Sequence, residues 1–117
     1  MEKKVFSPEQ IEKIKKENKC NVIHIKVYLD EAQQEVRECI IKDPLDMDDL
    51  TFVSAALNKD DSIKRGEFIL DSLWIDGHED FRLQKNSHKC VNTRVRLAAC
   101  KPANEALSML KAEIAKS

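Results

Sequence analysis

The histidines and cysteines are the side chains of this sequence best suited to hold a metal ion. His88 and Cys90 are the closest pair, and His78 lies upstream of them among several carboxylates. The string His88-Lys89-Cys90 lacks zinc-finger spacing, and no second pair lies at a matching distance. On a helix, residues two apart point to different faces, so this pair is poorly placed to chelate one ion. The sequence predicts no metal site, and it places His24 on the exposed face of a strand.

A cysteine nucleophile is the second chemistry to consider, because Cys90 and Cys100 lie in a basic segment. A reactive thiolate needs a base and an electropositive setting. No Cys/His/Asn arrangement can be written from the sequence, and free cysteines are commonly small buried residues on helix faces. We therefore predict no catalytic residues and no enzyme activity. The four cysteines include no Cys-x-x-Cys pair, and we expect them to be reduced thiols.

Phosphate, nucleotide and calcium sites also lack their motifs. Only Gly66 and Gly77 are available, so neither a Walker loop nor a dinucleotide fingerprint can be written. The segment 43–48 lacks the central glycine and the closing glutamate of a calcium loop. Its aspartates, like Asp60 and Asp61, are placed to cap helices. No cofactor is predicted.

Nucleic-acid binding would have to use the basic residues of the C-terminal part. These are Lys85, Lys89, Arg94, Arg96 and Lys101. Arg94 and Arg96 lie two apart and do not share one helix face. No aromatic residue lies between Arg82 and Ser117, so single strands have no stacking platform. The sequence disfavours a nucleic-acid partner, and a small DNA-associated or regulatory protein that uses the basic C-terminal helices remains the alternative hypothesis.

Charge is distributed unevenly along a chain whose net charge is only −1. Residues 30–80 hold 15 acidic and 5 basic side chains, whereas residues 81–117 hold 8 basic and 2 acidic ones. One interpretation is that the two segments face each other within the molecule. The other is self-association, or an acidic face that meets a basic partner. No stretch is long and apolar enough to span a bilayer, so we expect a cytoplasmic protein without a membrane partner.

The length of 117 residues predicts a single domain, 1–117, of the α+β class. Ser7-Pro8-Glu9-Gln10 has the pattern of a capping box with proline at the first helical position. It predicts a weakly anchored N-terminal helix within residues 1–20. Alternation of Ile23, Ile25 and Val27 with polar residues predicts a strand, and residues 21–42 as a whole predict an antiparallel hairpin.

The remaining part, 45–117, is predicted to be a bundle of about four short helices against which the hairpin packs. Helices are expected to end near Leu57, near Leu73 and at Cys100, and a last one to start at Pro102. Asp76-Gly77 is interpreted as a helix stop with a left-handed glycine cap. Apolar residues expected to face the core include Ile63, Phe68, Val91 and Val95.

Apolar surface is the remaining candidate for function. Trp74 and Ile75 form an apolar pair at a predicted helix end, and the last helix carries a narrow seam of Leu107, Leu110 and Ile114. Either these side chains complete the core, or they form a groove for a partner helix. We predict these five residues as the partner-binding site.

The segment Gly66–Asp80, GEFILDSLWIDGHED, resembles a segment of the tail assembly chaperones of long-tailed bacteriophages. In that family a helix ending in a Leu-x-x-x-Trp-type stretch is often followed by a Gly-Asp pair and a polar turn. Here the aspartate is delayed to Asp80. The order of elements is also similar: a hairpin, the acidic turn Asp43-Pro44, and short helices that end in a helical pair.

This resemblance implies a non-enzymatic role. Family members coat the long helical tape-measure protein and keep it soluble in the cytoplasm of the infected bacterium before the tail tube polymerises around it. The expected partner is thus a tape-measure-like helical protein, in phage or prophage, with self-association of the chaperone along it. The family has no catalytic residues to carry over.

Overall fold

The computed structural model describes residues 5–32, 34–46 and 50–107 of the chain. Four α-helices and three β-strands follow one another in these residues: α1 Pro8–Asn18, β1 Val22–Tyr28, β2 Val36–Lys42, α2 Leu50–Leu57, α3 Ser62–Ser72, β3 Trp74–Gly77 and α4 Thr93–Leu107. Two 3₁₀ turns, Pro44–Asp46 and Glu79–Phe81, precede α2 and follow β3. No helix in the described ranges is both long and apolar enough to cross a membrane.

The three strands form one antiparallel sheet in the order β1-β2-β3. β1 and β2 form the predicted hairpin, with Ile25 opposite Cys39 and Ile23 opposite Ile41. One face of this sheet carries the core residues Ile25, Val27, Cys39 and Ile41, against which α3 and α4 pack. The α+β class and the hairpin packed on helices are therefore confirmed.

The N-terminal helix begins as its sequence predicts. The Ser7 hydroxyl accepts a hydrogen bond from the Gln10 N–H at 3.2 Å, and the Gln10 side chain accepts one from the Ser7 N–H at 2.8 Å. None of the residues of α1 is buried. The helix contacts β1 from the side of the sheet opposite the core.

The expected helix stop at Asp76-Gly77 is wrong, because Trp74–Gly77 forms the third strand. α3 ends at Ser72, and β3 then pairs with β2, Gly77 lying opposite Cys39. Gly77 has φ +155°, and a Cβ there would clash with the Cβ and Cα atoms of Cys39. The glycine thus allows two strands to approach closely instead of ending a helix.

The last two predicted helices, one over 87–100 and one that starts at Pro102, are replaced by the single helix α4, Thr93–Leu107. α4 runs through Pro102. Proline removes one hydrogen bond, to the carbonyl of Ala98, and Ala98 lies on the exposed side where water can bind that carbonyl. Burial of Ala99 and Ala103 on either side of the proline favours the continuous helix.

Residues 87–92 form a turn instead of the first part of that helix. Leu83 and Cys90 form an isolated β-bridge, and the Val91 N–H donates to the carbonyl of Arg82 at 3.1 Å. Val91 is therefore exposed, not in the core. Ile63 was also expected in the core, but it lies at the start of α3 with its side chain exposed. The expected cap Asp48 lies outside the described residues, whereas Asp61 caps α3 as predicted.

α3 and α4 approach each other closely where they cross at Gly66. A Cβ atom built on Gly66 would lie 2.5 Å from the carbonyl oxygen of Cys100 and 2.7 Å from its Cβ. Both helices contribute residues to the core, among them Ile69, Leu70 and Ala99. The two backbones therefore cannot separate at this crossing without disturbing the core. The glycine is required by packing, despite its low helix propensity.

Replacement of Gly66 by alanine tests this contact. Alanine would gain about 1 kcal/mol of helix propensity, but we expect a net loss of about 2 kcal/mol in the free energy of unfolding, because overpacking forces the helices apart. Urea unfolding followed by circular dichroism measures this change. Lys64→Ala, exposed on the same helix, is the control, and an equal or greater stability of Gly66→Ala would contradict the proposed role of the glycine.

Candidate functional site

The most deeply buried charge among the described residues is the guanidinium of Arg96, which is only 2% exposed. Its Nε atom donates to Glu67 Oε2 at 2.7 Å, and its two Nη atoms donate to the Asp71 carboxylate at 3.0 and 2.6 Å. Nη1 also donates to the carbonyl of Phe81 at 2.9 Å. Burial opposes the charge, but these carboxylates outweigh it and raise the pKa of Arg96 above its usual range. The residue is a charged link between α3, α4 and the 3₁₀ turn.

This arrangement corrects the assignment of Arg96 to a basic surface. Its charge is neutralised by two side chains of the acidic segment 30–80, so it is unavailable to a phosphate backbone. The contact also joins the acidic and the basic segments within one chain, as the first interpretation of the charge distribution predicts. Arg94 and Lys101 remain exposed on α4.

Two of the four thiols, those of Cys39 and Cys100, lie in surroundings that suppress their reactivity. Burial raises the pKa of Cys39 to about 12, although Arg82 lowers it slightly, and burial with nearby Glu67 raises the pKa of Cys100 to about 11. Cys90 lies in the turn before α4 and not on a helix face, and Cys20 follows α1. All four cysteines are free thiols in the structure.

Two of the three histidines, His24 and His78, are engaged in structural contacts. His24 was expected on an exposed face, but its Nε2 atom lies 2.5 Å from Glu38 Oε1 and its side chain is mostly buried. His78 Nδ1 accepts a hydrogen bond from the Asp80 N–H at 3.0 Å, which caps the 3₁₀ turn. No group of three or more potential metal ligands is found within the part of the chain that the structure describes.

The predicted partner-binding residues are divided by the structure. Trp74 lies half-buried on β3, with its ring centroid 6.2 Å from that of Phe81 and 4.6 Å below the guanidinium of Arg82. Ile75 is half-buried on the same strand, and Leu107 packs against the core at the end of α4. Leu110 and Ile114 lie outside the described residues. Trp74 thus contributes to the core, and whether any of the five binds a partner stays a prediction.

A different pair of residues forms an open apolar groove. Ile63 of α3 and Leu97 of α4 have exposed fractions of 49% and 45%, and both line a groove of about 300 Å³ between the two helices. Cys100 lies at its base, and Lys101 and Glu105 at one end. This groove is the candidate functional site.

The groove itself is lined by one basic and one acidic side chain, Lys101 and Glu105. Lys64 follows Ile63 at the surface of α3, and Arg94 and Lys101 share the exposed face of α4 with Leu97, because positions 94, 97 and 101 follow the helical repeat. Asp61 is used to cap α3, since its carboxylate accepts the Lys64 N–H at 2.7 Å. A partner with an apolar stripe and flanking side chains of both charges would complement this surface.

Sequence reasoning missed both groove residues. Ile63 is predicted to be in the core as one of the apolar residues of the helix that follows Asp61, together with Phe68, Ile69 and Leu70. Leu97 was passed over because it does not belong to the stripe of Val95 and Ala99. A leucine between two buried positions of a helix must point away from them, and that offset was the available signal.

Comparisons with protein-family models, with curated proteins and with solved structures gave no match to this chain. The resemblance to tail assembly chaperones therefore depends on the segment Gly66–Asp80 and on the order of elements alone.

Arg96→Lys tests the buried charge. A lysine offers one compact charge in place of a planar fork, so it cannot satisfy both carboxylates and the Phe81 carbonyl. Because Glu67 and Asp71 are each at least a third exposed, we expect a loss of about 2 kcal/mol in the free energy of unfolding, below the full cost of breaking a buried pair. Arg94→Lys is the matched control on the same helix. Equal stabilities of the two variants in urea would contradict the assignment.

Alkylation of the native protein tests the state of the thiols. With pKa values of about 12 and 11, Cys39 and Cys100 are almost wholly protonated at pH 8, and both are buried. We expect iodoacetamide to modify the half-buried Cys20 and Cys90 while leaving the other two intact, as read by mass spectrometry of peptides. Rapid native modification of Cys100 would instead support an enzyme with a thiol nucleophile.

Proposed function

We propose that this protein is a non-catalytic chaperone that binds an amphipathic helix of its partner in the groove between α3 and α4. The observation that carries the proposal is the exposed apolar pair Ile63 and Leu97. Large apolar side chains that remain exposed together in a cleft are a common feature of interaction surfaces. Two neighbouring helices offer the cleft into which a third can pack.

The energetics of this groove suit repeated weak binding. Complete burial of a side chain such as isoleucine or leucine contributes about 1.5–3 kcal/mol, and association itself costs several kcal/mol of lost freedom. Two half-exposed anchors therefore give weak binding by a single copy. Many copies along one long partner would compensate for this weakness, because each extended helix offers several equivalent segments.

The surroundings of the groove define the partner further. Lys101 and Glu105, which line the groove, favour a helix whose apolar stripe is flanked by side chains of both charges. The raised pKa values of Cys39 and Cys100 support a role without thiol catalysis. Burial of Arg96 in its carboxylate cluster weakens the alternative of a DNA-associated protein, because one of the five basic candidates is neutralised.

The resemblance of Gly66–Asp80 to phage tail assembly chaperones supplies the biological setting of the proposal. The partner would be the tape-measure-like protein of the same phage or prophage, bound in the cytoplasm of the infected bacterium. Self-association of the chaperone along that partner belongs to the same proposal.

Co-expression with the tape-measure protein of the same virus tests the proposal. We expect the wild-type chain to increase the soluble fraction of the tape measure and to co-purify with it in many copies. Leu97→Ser and Ile63→Ser should each reduce the co-purified amount about tenfold, because each removes one of two apolar anchors. Leu57→Ser is the matched control, since Leu57 is 56% exposed on α2 and does not line the groove.

Two results would contradict the proposal. One is a tape measure that stays insoluble with nothing co-purified. The other is that Ile63→Ser and Leu97→Ser still bind the partner while Leu57→Ser does not, which would show that the partner binds to another surface. The DNA-associated alternative would be favoured if the protein binds duplex DNA with an affinity that falls steeply with salt concentration and that Arg94→Ala reduces.

A further inference from the structure

The face of the sheet opposite the core is covered by α1. Ile40 and Asp76 are paired neighbours on β2 and β3, and Ile40 is wholly buried although it does not belong to the main core cluster. Glu38, two residues earlier on the same face, is also buried. The element over these positions is α1 with the preceding Phe6, which touches Glu38 and His24.

Two contacts of Phe6, just before α1, join this segment to the sheet. The Phe6 N–H donates to Glu38 Oε1 at 3.4 Å, and the Phe6 ring meets the His24 ring edge-on with centroids 5.9 Å apart. No residue of α1 is buried. A gap of about 230 Å³ remains between the helix and the sheet, with Phe6, Ile14, Glu17 and Asp76 among its lining residues. The helix is thus an incompletely packed cover.

The link between α1 and β1 is short and strained. Lys19 has φ +53° and ψ +38°, the left-handed conformation that non-glycine residues adopt at a cost. Beyond it the chain is anchored, because the Asn21 N–H donates to Asp46 Oδ2 at 2.6 Å and the Asn21 carbonyl accepts from the Asp43 N–H. The fold-back of α1 onto its own sheet therefore depends on the conformation of Lys19 and Cys20.

We infer that α1 exchanges between copies of this chain, so that the helix of one copy covers the outer sheet face of the next. Extension at Lys19 releases the left-handed strain but gives up the hydrogen bond from its N–H to the Lys15 carbonyl. The contacts of Phe6 with Glu38 and His24 can be remade between chains. A short strained hinge and an identical element are the two conditions that favour such an exchange. Because a second copy carries the same helix, no other partner is needed to fit this face.

The exchange can produce assemblies other than a closed dimer. If each copy gives its helix to the next, the interface is head-to-tail and the result is an open row of copies. This inference does not depend on the proposed function, because it uses the face of the sheet opposite α3 and α4. Its failure would leave the groove between those helices untouched.

Two substitutions at Lys19 shift the exchange in opposite directions. Lys19→Gly removes the cost of the left-handed conformation and should favour the closed single copy, whereas Lys19→Val raises that cost and should favour exchange. Light scattering after size-exclusion chromatography measures the mass at increasing concentration. The quantity compared is the protein concentration at which the measured molecular mass is twice that of one chain. We expect this concentration to be about tenfold lower for Lys19→Val than for wild type, and about tenfold higher for Lys19→Gly. Equal masses of all three proteins at every concentration would overturn the inference.

A disulfide trap distinguishes exchange from ordinary surface contact. In a background with Cys20→Ser and Cys90→Ser, one full-length chain carries Glu17→Cys on α1 and another carries Asp76→Cys on β3, two positions that line the same gap. A chain with both substitutions, oxidised when dilute, should form the bond within one molecule and proves that the pair can react. Mixed single variants at the concentration of mass doubling should form a disulfide-linked dimer of unlike chains.

Mass doubling without that cross-linked dimer would contradict exchange, because the copies would then touch through another surface. A Lys19→Val chain that stays a single copy while proteases cleave α1 would contradict it too, since the helix would then detach without occupying a second sheet.

Discussion

The guanidinium of Arg96 and the crossing of helices around it are the constraint on which the rest of this molecule depends. One side chain on α4 satisfies two carboxylates on α3 and a carbonyl of the turn that follows β3. Its geometry fixes the register of the two helices, and at the same crossing Gly66 lets their backbones approach within van der Waals distance. Both helices then hold the inner face of the sheet. The open groove between Ile63 and Leu97 exists because α3 and α4 meet so closely along one line that their outward residues cannot close over each other.

The parts of the fold governed by local rules could be predicted from the sequence. Capping by Ser7 and Asp61 depends on residues within one turn, and the alternation of Ile23, Ile25 and Val27 specifies a strand with one buried face. The parts governed by distant contacts could not. Trp74–Gly77 is too short for periodicity to identify, and it is a strand because β2 offers it an edge. Pro102 normally ends a helix, and here flanking burial outweighs the one lost hydrogen bond.

The location of the candidate site could not be predicted from the sequence. An apolar binding surface is a hypothesis that the sequence allows, but its position depends on which apolar side chains remain outside after packing. Trp74, the largest apolar side chain, packs beside Phe81 below Arg82, whereas the smaller Ile63 and Leu97 stay exposed. A buried arginine is equally hard to foresee, because its partners Glu67 and Asp71 lie far from it in sequence and look like ordinary surface carboxylates.

The position of β2 between its two neighbours has a consequence for how the chain emerges from the ribosome. β1 and β2 are joined by a short connection, so they can pair as soon as both are synthesised. The other edge of β2 must wait until α2 and α3 have been made and β3 follows them. Throughout that interval the nascent hairpin presents unpaired backbone groups along Cys39, Ile40 and Ile41, and a strand from any neighbouring chain could add to them. Pairing of β3, which directly follows α3, covers this edge and removes the exposed backbone groups.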